Sequence, residues 1–208
     1  MITFSGTLKM DLKLSQGLIS EIISNATEKQ IPKGTEILRE GQYVKVVPIV
    51  LQGLIKVCSR YEDKELLLYY IQPNESCIMS FSSGIKNEPS KVFAVTEEDT
   101  VALLLPINKI NEWVKEYPDI NNLFYSQYNL RYFDLIDTIQ HVLFEKMDVR
   151  LYNYLVEKVR ITDKNPLKIS HRQIANELGS AREVITRVIK KLVTDGKVIQ
   201  HKNSIEVL

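Results

Sequence analysis

Ile169-Ser-His-Arg-Gln-Ile-Ala-Asn-Glu-Leu-Gly-Ser-Ala-Arg-Glu-Val-Ile-Thr-Arg-Val-Ile-Lys-Lys-Leu192 is the stretch that decides how this chain is read. Small Ala175 stands four residues before Gly179. Apolar Ile174, Leu178, Ile185 and Val188 fall where two short helices must pack on each other, the spacing of a helix-turn-helix. Ser170 is a good N-cap with Gln173 three residues on, so the first helix opens with a capping box. Gly179 ends it, because the turn needs a residue tolerant of positive φ. Ser180 is expected to cap the second helix, with Glu183 as its box partner. That helix buries Ile185, Val188, Ile189 and Leu192 on one stripe. Arg182, Glu183, Thr186, Arg187 and Lys190 fall on the opposite side, where such groups can read base edges in a major groove. Asp195-Gly196 signals a turn. Lys197–Gln200 and Ser204–Val207 follow as a short hairpin, the wing. The bland alternative is a helical hairpin with a solvated charged face.

Upstream the pattern changes. Thr35–Leu38, Lys45–Leu51, Leu54–Cys58, Glu65–Ile71, Lys91–Val95 and Thr100–Leu105 are short β-rich runs. Turn residues at Lys33-Gly34, Glu40-Gly41, Gln52-Gly53, Tyr61–Lys64 and Gln72–Glu75 separate them. Glu97-Glu98 reads as one more turn. This punctuation predicts an antiparallel sandwich or barrel. Ser15–Thr27 reads as a short amphipathic helix before the strands, and Pro106–Glu116 as another after them.

Pro118 then opens a helix to about Glu145. Tyr125, Tyr128, Tyr132, Leu135, Ile139 and Val142 recur at intervals of three and four, a coiled-coil seam that calls for a second copy of the chain. Leu123, Leu130, Phe133 and Ile136 form another apolar face for packing on the β-rich part. Asp148–Ile161 is a further helix and Thr162–Lys168 a loop.

The 208 residues suit one large domain or two small ones. A content of 44% apolar and 25% charged residues is that of an ordinary globular protein. No apolar run approaches the roughly 20 residues that cross a membrane. Met1–Leu14 lacks the basic-then-apolar pattern of a signal peptide. Two cysteines, Cys58 and Cys77, make no disulfide framework, so a cytoplasmic setting is expected. The net charge is +1, but its distribution is uneven. Residues 147–208 hold 12 Lys+Arg against 7 Asp+Glu, a net of +5, while the remainder holds 15 against 19, a net of −4. Positive charge gathers on the segment that would meet phosphate. Phosphate-cradling glycine loops, metal-spaced His/Cys clusters and Ser-His-Asp arrangements are missing from the sequence, so an enzyme is not expected and no metal site is assigned. His141, His171 and His201 do not single themselves out, and the last two read as surface residues. The four cysteine ligands of an iron–sulfur cluster are lacking.

The order of β-rich region, long helix and winged helix-turn-helix resembles the Crp/Fnr family of bacterial transcription regulators over nearly the whole chain. Pro32-Lys-Gly34-Thr-Glu-Ile-Leu-Arg-Glu-Gly41 followed by Ile49-Val-Leu-Gln-Gly53 is similar to the opening of that family's β-roll. The resemblance implies an α+β protein: an antiparallel β-roll of the cyclic-nucleotide-binding, jelly-roll kind over residues 1–117, a dimerisation helix over 118–146, and a winged helix-turn-helix over 147–208. Arg182, Glu183 and Arg187 match the base-reading Arg-Glu-x-x-x-Arg of the cAMP receptor branch, which implies palindromic sites of TGTGA type. Arg bonds guanine O6 and N7, and Glu accepts from cytosine N4. Ser170, Arg172, Gln173, Ser180, Lys190 and Lys191 complete the expected DNA contacts, mainly to phosphate.

The resemblance fails at the effector site. Met79-Ser80 replaces the family's Gly-Glu pair for the ribose, and Ser90-Lys91 replaces its Arg-Ser pair for the cyclic phosphate. Leu135-Ile136 stands where the cAMP receptor has polar residues. A cyclic phosphate needs a fixed counter-charge, usually Arg, and only Lys91 offers one. An effector pocket is expected around Ser76, Cys77, Met79, Ser80, Ser90, Lys91, Leu135 and Ile136, with an effector other than cAMP and no cofactor assigned. Cys77, read as lying at a strand end, is either a redox or metal contact or a small buried residue. The partners implied are double-stranded DNA, a second copy of the chain, an unknown small molecule and RNA polymerase, for which no residue signature stands out. A signal would pivot the modules near Glu145–Asp148. The competing reading is a ligand-binding or protein-interaction module with a vestigial DNA-binding part.

Overall fold

The computed structural model describes residues 14–61 and 64–208, and their side chains except at 61, 64 and 140–144. Residues 1–13, most of the segment read for a leader, and the centre of the Tyr61–Lys64 turn lie outside the described residues, as do the side chains of His141 and Val142. The described residues fall into two compact units. One comprises residues up to Ser59 with Tyr69–Asp134, and the other Arg60–Leu68 with Leu135–Leu208.

In the first unit, α1 (Gln16–Asn25) leads into β1 (Thr27–Ile31), β2 (Glu36–Leu38), β3 (Val46–Gln52), β4 (Ile55–Tyr61) and β5 (Lys64–Ile71), the last two continuing into the second unit. Then come α2 (Ile78–Lys86), β6 (Phe93–Thr96), β7 (Thr100–Pro106), α3 (Ile107–Glu116) and α4 (Pro118–Phe144), whose last ten residues are grouped with the second unit. The strands form two antiparallel sheets, ordered β1-β7-β3 and β2-β6-β4-β5. The expected β-roll is present, and six of its strands match the β-rich runs within a residue or a few. β1 escaped the sequence reading because only Ile31 of Thr-Glu-Lys-Gln-Ile is buried, so no alternation marks it. Gly53 has φ +92°, and a Cβ there would sit 2.5 Å from the Asp99 carbonyl oxygen, so this turn admits glycine alone.

Leu18, Ile22, Ile49, Leu103, Ile110, Trp113, Ile120 and Phe124 make the core of this unit. It therefore lies between the first sheet and helices α1, α3 and the start of α4. The second apolar face expected on α4 needs correcting. Leu123 is buried, but Leu130 and Phe133 are exposed and Ile136 is half-buried. The buried stripe continues instead through Phe124, Gln127 and Arg131. Cys77 does not end a strand. It caps α2, its Sγ accepting from Ser80 N–H at 3.4 Å. This helix was unforeseen because Ile78–Lys86 carries three serines and a glycine, which are weak helix formers. Gly84 lets it lie close to α3, since a Cβ there would be 2.4 Å from Ile107 Cδ1.

The second unit holds α5 (Met147–Thr162), α6 (His171–Glu177), α7 (Arg182–Thr194), β8 (Val198–Gln200) and β9 (Ile205–Val207). β8 and β9 pair antiparallel, with Val198 opposite Val207. Leu151, Leu155, Ile174, Ala175, Ile185, Ile189, Leu192, Val198 and Ile205 form its core. Within that core lies an ion pair. Lys158 Nζ meets Glu177 Oε2 at 3.0 Å with both side chains about 5% exposed. Tyr154 donates its hydroxyl to the same oxygen at 2.5 Å, and Gln173 Nε2 donates to Oε1 at 2.9 Å. The network ties α5 to α6. Removing one member of a buried pair strands the other charge, so Lys158→Met is expected to cost about 3 kcal/mol in urea denaturation followed by circular dichroism. Adding Glu177→Gln, which keeps an acceptor for Tyr154 without the charge, is expected to recover more than half of that loss.

Candidate nucleic-acid interface

The second helix of the motif starts one residue later than its sequence suggests. Ala181, not Ser180, is the N-cap of α7, and it has no side-chain cap. The reason is local: Ser180 N–H donates to the Ala175 carbonyl at 2.8 Å, which keeps Ser180 in the turn. Gly179 has φ +62° there, as a tight turn requires. Ser170 does cap α6, accepting from Gln173 N–H at 3.1 Å. The capping box stays half-formed, because the Gln173 side chain reaches forward to Glu177. Ala175 is buried and lets α6 and α7 approach closely.

The apolar stripe of α7 is Ile185, Val188, Ile189 and Leu192, all buried. Burying that stripe turns the opposite side outward. Arg182, Glu183, Arg187 and Lys190 are exposed and Thr186 is half-buried. These five line one open depression of about 380 Å³, so they share a surface that a ligand reaches as a unit. Ser170 and Arg172 are exposed and Gln173 is half-buried at the start of α6, and Ser180 is half-buried in the turn between the two helices. Lys191 is exposed but pairs with Asp148. That hydrogen bond pulls the Asp148 carboxyl below its ordinary range and raises the Lys191 ammonium.

His171 differs from the surface residue its sequence suggested. It is half-buried at the start of α6, with Nδ1 at 2.9 Å from Thr186 Oγ1 and Nε2 at 3.3 Å from Gln200 Nε2. Nothing in its spacing marks it, because its neighbours come from α7 and β8. Burial lowers its pKa first and the Arg182 guanidinium next. The folded ring thus stays neutral where the unfolded chain already binds a proton. Its contribution to stability is full above about pH 6.5 and declines as pH falls toward the folded value. In the DNA-free protein, the His171 Cε1 proton, identified by its loss in His171→Asn, is expected to titrate below pH 6.5 by NMR. The melting temperature is expected to fall more steeply below pH 6.5 in the parent than in that variant. A midpoint at or above 6.5 rules out the assigned cause.

The residues expected around an effector are only partly gathered. Ser76, Cys77 and Ser80 are buried at the start of α2, and Met79 is half-buried beside them. Ser76 Oγ donates to the Pro48 carbonyl at 2.8 Å, and Ser90 Oγ to the Val92 carbonyl at 2.8 Å, so both hydroxyls serve the fold. Lys91 is exposed and Leu135 is 53% exposed. The buried cation of this region is Arg131, which the sequence reading missed. It lies on α4 at 2.6 Å from Glu75 and 2.7 Å from Asp134, 4.5 Å from the Tyr69 ring centroid. Gln127, one turn earlier, accepts from Ser76 N–H at 3.4 Å. Burial, then the Cys77 thiol 3.9 Å away, pushes the Tyr69 phenol well above its ordinary range, so Arg131 faces a neutral ring. The available signal was two polar residues, Gln127 and Arg131, at helical spacing on an otherwise apolar stripe.

On the expected seam of α4, Tyr125 is 72%, Tyr132 59%, Leu135 53% and Ile139 48% exposed, with Tyr128 at 37%. Among the described residues no helix is long and apolar enough to cross a membrane.

A β-roll, a long helix and a winged helix-turn-helix with an exposed, mainly basic face define a class of DNA-binding regulator. A family model described as Crp-like helix-turn-helix domain matches residues 149–208, and one described as cyclic nucleotide-binding domain matches residues 28–117. The chain belongs to the Crp/Fnr family. It is 26% identical over 183 residues to the global nitrogen regulator of Synechocystis, covering 80% of this chain and 78% of that one. It is 21% identical over 197 residues to the CRP-like protein Clp of Xanthomonas campestris, covering 89% and 85%. A crystal structure of a Crp/Fnr-family transcriptional regulator from Eubacterium rectale superposes with TM-score 0.85 at 26% identity, over 94% of this chain and 91% of that one. The structure of the Xanthomonas campestris regulator Clp, described as a c-di-GMP responsive global regulator, has the same fold with TM-score 0.81 at 18% identity, over 93% of this chain and 99% of that one.

Proposed function

We propose that this Crp/Fnr-family regulator controls transcription as a homodimer that reads a palindromic site of TGTGA type. The observation that carries the reading is the exposed set Arg182, Glu183 and Arg187 on one surface of α7, opposite a fully buried stripe. Two such helices enter successive major grooves about one helical turn apart. Arg182 and Arg187 each take a guanine and Glu183 a cytosine. Ser170, Arg172, Gln173, Ser180 and Lys190 meet phosphate and fix the register. Lys191 adds less, because a phosphate must displace Asp148 to use it.

Residues 118–146 join the copies through Tyr125, Tyr128, Tyr132, Leu135, Ile139 and Val142. Exposed apolar side chains at this spacing support a self-complementary helix pair. Residues 1–117 sense an effector that is not cAMP. The buried cation beside this region, Arg131 of α4, is already held by Glu75 and Asp134, and no carboxylate replaces the one that grips a ribose. The signal reaches residues 147–208 by a pivot near Glu145–Asp148, and RNA polymerase is the downstream partner in the cytoplasm. Identical domain orientation in effector-bound and DNA-bound crystals would remove the pivot.

Fluorescence anisotropy on a duplex with two inverted TGTGA half-sites tests the reading. Arg182→Ala or Arg187→Ala is expected to cost about 1–3 kcal/mol and to relax preference at one base pair per half-site. Lys190→Ala is expected to weaken all duplexes evenly and to lower the salt slope by about one. An even loss on every sequence for Arg187→Ala refutes its base-reading role. In sedimentation, Tyr132→Glu with Ile139→Glu is expected to shift the chain to monomers and abolish tight binding to the paired site but not weak binding to a single half-site.

A further inference from the structure

Thr186 lies on the reading face of α7, yet its hydroxyl is already committed to the protein. Its O–H donates to the Arg182 carbonyl one turn back at 2.9 Å. With that proton spent, Oγ1 can only accept from His171 Nδ1, 2.9 Å away. The other ring nitrogen faces Gln200 Nε2 at 3.3 Å, and an amide nitrogen only donates. Both ends therefore demand the same state of His171: neutral, with its proton on Nδ1. The donor chain runs from Gln200 on β8 through His171 on α6 and Thr186 to the backbone of α7. Burial of His171 and the nearby Arg182 charge favour that neutral state.

A β-branched side chain with its oxygen pinned has all its Cβ substituents fixed. We propose that His171 is a positioning residue that makes Thr186 a methyl reader: with the hydroxyl turned to the protein, Cγ2 is left to meet the C5 methyl of a thymine in the half-site. A threonine methyl against a thymine methyl is an apolar contact available only in the major groove. The wing takes part, because Gln200 orients the imidazole that orients Thr186. This inference rests on α7 being the base-reading helix and adds one element of sequence choice beyond the three charged residues.

The test starts from a randomised duplex pool selected with the full chain. In the enriched half-site, each thymine is replaced in turn by deoxyuridine, which lacks only the C5 methyl. At one position the replacement is expected to weaken binding about fourfold, the worth of one buried methyl group. Thr186→Val, which keeps the methyl, is expected to retain that sensitivity, and Thr186→Ser, which keeps only the hydroxyl, to lose it. His171→Ala is expected to reduce the discrimination at that position. His171→Asn, whose amide nitrogen stands in for Nδ1–H, is expected to restore it. Undiminished thymine preference in Thr186→Ser, or in His171→Ala, overturns the assignment. A pool with no enriched sequence removes base reading by α7 and this inference with it, whereas an enriched site without such a thymine removes this inference alone.

Discussion

The exposed polar face of α7 exists because its other face is fully committed. Ile185, Val188, Ile189 and Leu192 are packed into one core with Ile174, Ala175, Leu151 and Leu155. A helix held by four buried apolar side chains cannot roll without exposing several of them, and each costs roughly 1.5–3 kcal/mol to expose. That cost fixes which side chains point outward. Ala175 and the positive φ of Gly179 allow the close approach of α6 to α7 on which the geometry depends. The exposed Arg182, Glu183 and Arg187 therefore owe their direction to the side chains buried on the other side of the helix.

Buried polar groups refine what the apolar packing sets. Glu177 takes bonds from Tyr154, Lys158 and Gln173 and so ties α6 to α5. A buried carboxylate with fewer partners would be costly, so the network specifies one arrangement of these helices. Half-buried His171 does the same at the start of α6, linking it to Thr186 and to the wing. In the other unit Arg131 plays the matching part. Its guanidinium is held by Glu75 and Asp134 above the Tyr69 ring, which fixes this part of α4 to the start of α2. A ligand acid that sought Arg131 would compete with two carboxylates already in place.

Much of this was legible in the chain. The helix-turn-helix, the wing, six β-strands and the long helix all follow from local signals such as apolar spacing, caps and glycine turns. What escaped had no local signal. β1 buries one residue of five, and α2 is built from serines and a glycine behind a cysteine cap. The cap of α7 slipped by one residue because Ser180 N–H found a backbone acceptor in α6. Lys91 was the only cation near the expected phosphate subsite in sequence, yet the buried cation is Arg131, forty residues on. It shares no pattern with Glu75 until the chain returns to it.

The amino-acid sequence by itself determined the class of protein, the order of its parts and the residues on the exposed face of α7. Those properties depend on periodicity and punctuation within about twenty residues, where side-chain spacing and backbone geometry suffice. Only the tertiary structure decided the partners of the buried and half-buried polar groups: Arg131 with Glu75, Lys158 with Glu177, and His171 with Thr186 and Gln200. Hydrogen bonds and ion pairs are short and directional, and their partners here come from different elements. Which groups come within hydrogen-bonding distance depends on how whole helices and strands pack, and no local pattern carries that information.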